Sequence, residues 1–172
     1  RVRRMVLTSP LLGLPEDLLS MKNAFRLASF LHALGLGSLY LSGGTRKAGP
    51  TPFADNVLTS DPARYARNLD IYRLHPELAV GGATASWVRA AFIAIERVNE
   101  PGFLARFRIP TLIVAAGDER VVNLQATERY ARQLRTGSLV TIDGARHEIA
   151  QEADSYREQF LAAFDAFVPG SE

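Results

Sequence analysis

The 172-residue sequence contains no cysteine. That excludes disulfides, thiolate metal sites and a cysteine nucleophile, and it fits a reducing compartment. Long hydrophobic runs are missing too: no stretch approaches the ~18 apolar residues of a membrane span. Neither sign of charge dominates. The formal net charge of +2 is too small to argue for nucleic acid. The one dense basic cluster, Arg1 to Arg4, reads as a solvated strand end. No signal-peptide pattern, internal repeat, phosphate loop, dinucleotide fingerprint or metal-ligand cluster is visible, so no cofactor and no metal are expected. What is present is globular. Hydrophobic residues make up 47% and charged residues 22%, enough for the core of one domain or of part of a larger one.

The chain falls into three blocks. A short apolar run at residues 3–8 predicts a strand, stopped by Pro10. Residues 15–105 lack strand signals. "PEDLLSMKNAFRLASFLHALGLG" predicts a helix that starts at Pro15 and is stopped by Gly35 and Gly37. "SGGTRKAGPTPFADN" is loop, and Ser42, Gly43 and Gly44 in it are candidates for a lid hinge. "TSDPARYARNLDIYRLHPEL" predicts a second helix, with Ser60 or Asp61 as its cap, Pro62 in the first turn and Pro76 as its end. A third follows in "GGATASWVRAAFIAIERVNEPG", with Trp87, Ala91, Ile95 and Val98 on one face. The last block alternates strand and helix. "RIPTLIVAAG" is a continuous apolar run of the kind buried on both faces of a parallel sheet. An amphipathic helix, the strand "GSLVTIDGARH" and a helix with the apolar stripe Tyr156, Phe160, Phe164 and Phe167 complete it. The fold class is therefore α/β, with helices packed on a parallel sheet. About three strands are too few for such a sheet to stand alone.

In open parallel sheets, ligands meet the carboxyl ends of the strands. Two such ends carry titratable side chains, Asp118 and His147, 29 residues apart (147 − 118). That is one strand-helix-strand step. It can set a carboxylate against an imidazole, fixing the tautomer and stabilising the imidazolium. Asp118 and His147 are thus the expected catalytic acid and base. Glu119 reads as a solvated neighbour that can also compete for the histidine. Asp143 reads as a turn former, and Glu148 and Glu152 as solvent-facing or capping the last helix. His32 and His75 lie at helix positions that suit structural or exposed histidines.

The segments "IPTLIVAAGDERVVN" and "IDGARHEIAQEAD" resemble the last two catalytic segments of α/β-hydrolases, in particular the lysophospholipase L2 and monoacylglycerol lipase group, which is serine aminopeptidase S33-like. The Thr-Ser-Asp-x-x-Arg-Tyr stretch at residues 59–65 and the Gly-x-Thr-x-x-Trp stretch at 82–87 resemble that group's cap. The resemblance implies the C-terminal part of a hydrolase core at residues 1–14 and 106–172, with a mainly helical cap at 15–105. It implies a serine hydrolase acting on a lipid-like ester, such as a lysophospholipid or monoacylglycerol. Apolar cap side chains, among them Tyr40, Phe53, Trp87 and Phe92, would line the acyl slot. The expected partner is a small-molecule ester, with no nucleic acid. The expected setting is cytoplasmic, with peripheral membrane contact compatible with such a substrate.

One part of the family's pattern is absent. No serine in the sequence has glycine two positions before and two after it, so the Gly-x-Ser-x-Gly nucleophile turn is not here. Two expectations stand side by side. Either the nucleophile and oxyanion hole come from a missing N-terminal half, or the chain is a truncated, non-catalytic hydrolase fragment that acts in binding or assembly.

Overall fold

The computed structural model describes residues 2–13, 18–41 and 51–170. Pro15 and the proposed hinge at Ser42, Gly43 and Gly44 lie outside them. In chain order the elements are β1 (Met5–Thr8), α1 (Leu18–Ala33), α2 (Pro62–Leu74), α3 (Ala85–Asn99), α4 (Pro101–Arg106), β2 (Thr111–Ala116), α5 (Leu124–Gln133), β3 (Gly137–Ile142) and α6 (Asp154–Phe167).

Among the described residues, the three strands form one parallel sheet in the order β1-β2-β3. Val6 pairs with Leu112 and Val140 with Val114. All six residues of β2 are buried, as a central parallel strand requires, and its alternating side chains feed two clusters. Ile113 packs with Leu12, Leu104 and the α5 residues Tyr130 and Ala131 on one face. Leu112, Val114 and Ala116 pack with Ile142, Ile149 and the α6 residues Tyr156, Phe160 and Phe167 on the other. α5 and α6 therefore cover opposite faces of the sheet. That leaves the carboxyl ends of β2 and β3 on one edge.

The expected stop signals act by identifiable geometry. Gly35 adopts φ +75°. Leu36 N–H donates to Leu31 O at 2.9 Å and Gly35 N–H to His32 O at 3.0 Å, the paired bonds of a Schellman end to α1. Of the two cap candidates for α2, it is Asp61 that accepts from Ala63 and Arg64 N–H. α3 packs on α1, and the Phe25 and Phe92 rings meet at 5.3 Å between them. Trp87 is 55% exposed, whereas Ala91, Ile95 and Val98 further along the same face are half-buried. The short helix α4 was not anticipated; Pro101 at its first position was the available signal. Among the described residues, no helix is long and apolar enough to cross a membrane.

Candidate active site

β2 runs into Gly117 and β3 into Asp143-Gly144. The two turns bond directly: Gly117 N–H donates to Ile142 O and Asp118 N–H to Ala145 O, both at 2.9 Å. The approach is too close for a side chain, since a Cβ on Gly117 would lie 2.8 Å from Asp143 Cα. This explains the glycine at the end of an otherwise apolar strand. It also fixes the residues just beyond each turn relative to one another.

The carboxylate that meets His147 is Glu119. Both of its oxygens lie 3.0 Å from His147 Nδ1. Its side chain is 2% exposed, against 24% for the imidazole. Oε1 also accepts the backbone N–H groups of Val121 at 2.8 Å and Val122 at 3.2 Å, which lock the carboxylate in place. The contact expected of Asp118 is thus made by its neighbour. Asp118 is paired instead with the Arg120 guanidinium at 2.7 and 3.0 Å and lies 3.7 Å from Arg146 Nε. The physical reason lies in the turns. Once residue 118 is held to Ala145, the longer glutamate side chain folds back over its own downstream amides to reach the imidazole, and Arg120 engages the aspartate at the surface.

An ionised carboxylate can only accept, so Nδ1 carries the hydrogen and Nε2 is the basic nitrogen. Among the described residues no hydrogen bond is made to Nε2. The arrangement can therefore take a proton at Nε2 and stabilise the resulting imidazolium against Glu119. Among the described residues no group of three His, Asp or Glu side chains is placed to hold a metal ion.

Glu152, expected to face solvent or cap α6, is fully buried. Its oxygens accept from the Ser60 hydroxyl at 2.6 Å, Ser60 N–H at 3.0 Å, Ala153 N–H at 3.0 Å and Arg146 N–H at 2.7 Å. Burial pushes this carboxyl up, and the bonds from Ser60, Arg146 and Ala153 more than offset it, so it sits below the ordinary glutamate range. The Thr-Ser-Asp-x-x-Arg-Tyr stretch closes around the same loop. Thr59 donates to Gln151 O. Arg64 bonds Glu152 O and Asp154, and its hydrogen bond holds the Asp154 carboxyl below the usual range. Tyr65 is buried and donates to Thr51 O.

The four expected substrate-binding residues fall in separate places. Phe92 packs against Phe25, and Phe53 against Tyr65 at 5.7 Å. Tyr40 forms an isolated bridge to Thr84, whose hydroxyl caps Trp87 N–H; Tyr40, Phe53 and Trp87 are all exposed. Among the described residues no hydrogen bond or ring contact joins these four to Glu119 or His147.

The sequence pattern described as serine aminopeptidase, S33 matches residues 1–154. Lysophospholipase L2 of Escherichia coli K12 is 39% identical over 132 residues, covering 72% of this chain and 38% of that protein. Probable lysophospholipase L2 of Haemophilus influenzae is 27% identical over 171 residues, 97% of this chain and 52% of that protein. The chain thus spans about half, or less, of the length of the curated relatives it matches. Monoacylglycerol lipase of Paleococcus ferrophilus superposes with a TM-score of 0.68 at 19% identity, over 94% of this chain and 56% of that one. This is a likeness of fold.

Proposed function

Because the chain belongs to the serine aminopeptidase S33 family of α/β-hydrolases, we propose that Glu119 and His147 are the acid and base of a serine hydrolase acting on a lipid-like carboxylic ester. The observation that carries this reading is the buried Glu119 held 3.0 Å from His147 Nδ1 at the carboxyl edge of a parallel sheet. The nucleophilic serine and the oxyanion amides are supplied from outside these 172 residues, since no Gly-x-Ser-x-Gly occurs in them.

In this reading the serine hydroxyl attacks the ester carbonyl and His147 Nε2 takes its proton. The tetrahedral intermediate collapses to an acyl-enzyme as His147 returns the proton to the leaving alcohol. Water, activated at the same nitrogen, releases the acid. Glu119 stays ionised throughout. A lysophospholipid or monoacylglycerol is the substrate class, by likeness to relatives so named. Residues 15–105 act as the cap. Among its exposed apolar side chains, Tyr40, Phe53 and Trp87 are offered to an acyl chain, whereas Phe92 packs against Phe25 between α1 and α3. Such a substrate implies a protein that meets membranes peripherally.

The test is hydrolysis of a lysophospholipid and of a monoacylglycerol by the natural protein and its His147→Ala variant. Turnover abolished by the substitution supports the reading. Turnover that survives it removes His147 as the base. A parent protein inert to both esters favours the alternative of a non-catalytic binding module.

A further inference from the structure

Glu152 is a carboxylate that the chemistry above does not use, and its burial is costly. A buried charge is tolerated when it is paired or fully hydrogen-bonded. Among the described residues no Arg or Lys side chain donates to this carboxylate; five neutral donors do. One of them, Ala153 N–H, belongs to the next residue in the chain. The other four come from Thr59 and Ser60, just ahead of α2, and from Arg146, the residue before His147.

The residue on the far side of His147 is fastened to the same place. Glu148 N–H donates to Leu58 O at 2.8 Å. The Arg146 guanidinium donates to Asn56 O at 3.1 Å and Thr59 O at 3.2 Å. The histidine is therefore flanked by two backbone amides, 146 and 148, both tied to residues 58–60. One of those ties runs through Glu152.

We propose that Glu152 is a positioning residue for the His147 base: its carboxylate clamps the backbone of Arg146 to Ser60, so that the segment ahead of α2 sets where Nε2 points. This rests on the reading of His147 as the base. Glu152 does not touch the reacting atoms and acts through residue 146. Changes at Ser60 should accordingly be felt in the chemical step rather than in substrate binding.

The natural protein is titrated with a fluorophosphonate so that rates refer to intact sites, and monoacylglycerol hydrolysis is followed. Glu152→Gln keeps the shape but sets an amide NH2 against donors. Its kcat is expected to fall about tenfold or more, because sub-ångström misplacement of a base is costly, with KM within about twofold. The His147 Nδ1–H proton signal should broaden or vanish by solvent exchange. Ser60→Ala removes one hydroxyl and leaves the carboxylate; kcat is expected to fall about threefold at unchanged KM. A kcat per titrated site equal to the parent's in both variants overturns the proposal. So does a loss confined to KM, or lowered thermal stability with an unchanged Nδ1–H signal. If Glu152→Gln does not fold, Ser60→Ala decides. The proton signal needs no substrate, so it tests the clamp even where His147→Ala shows the base assignment itself to be wrong.

Discussion

Two adjacent carboxylates, Asp118 and Glu119, offer the sharpest discrimination. Glu119→Gln is nearly isosteric, yet the hydrogen-bond geometry leaves it no good solution. Oε1 accepts from Val121 and Val122 N–H, so the amide oxygen of glutamine belongs there. The NH2 group then occupies the position of Oε2, 3.0 Å from Nδ1, and sets a donor against a donor. The imidazole escapes by moving its hydrogen to Nε2, and it is then the wrong tautomer to serve as a base. That mechanism predicts a fall in kcat of about 10⁴, equivalent to about 5.4 kcal/mol at 1.36 kcal/mol per decade. Asp118→Asn keeps an oxygen for Arg120 at a partly exposed position (36% side-chain exposure). Losing one surface ion pair is worth about 0–1 kcal/mol, a rate change of about fivefold at most. Both variants would be assayed by ester turnover per fluorophosphonate-titrated site. A large loss in Asp118→Asn with near-normal Glu119→Gln would refute the pairing and restore Asp118 as the acid.

Other consequences follow from the two turns and the buried hub. Gly117→Ala should destabilise the fold by about 1–3 kcal/mol through overpacking, because its Cβ would meet the Asp143 backbone at 2.8 Å. Urea unfolding checks this, and an unchanged midpoint would contradict the close approach. The folded Glu152 carboxyl lies below its unfolded value of about 4.3. Its contribution to stability is therefore complete above that value and lost as pH falls through the lower folded one. Between about pH 5 and 3 the stability of Glu152→Gln should decline less steeply than the parent's; parallel decline would show that this carboxyl is not depressed.

Much of the scaffold was legible because it rests on local chemistry. The unbroken apolar run of β2 announces a strand covered on both sides, and Gly35 and Asp61-Pro62 mark helix ends through backbone geometry alone. His147 stood out as the imidazole at a strand end. The choice of its partner did not, because residues 118 and 119 carry the same charge one position apart. What separates them is tertiary: the Asp118 N–H bond to Ala145 O and the Val121 and Val122 amides over Glu119. Glu152 was misread for a related reason. A lone glutamate pattern predicts the surface, and two of its donors come from Ser60, 92 residues away. The Thr-Ser-Asp-x-x-Arg-Tyr stretch held the missing information, since four of its residues bond to the loop after His147 or cap α2.

The central claim is that this chain supplies acid and base to a serine nucleophile. Its most direct test is the intact mass of the natural protein before and after treatment with a fluorophosphonate, for the parent and for His147→Ala. The expected result is one adduct per protein in the parent, on a serine outside these 172 residues, formed far more slowly without His147. A parent that takes up no adduct, or one that labels equally fast without the imidazole, would contradict it.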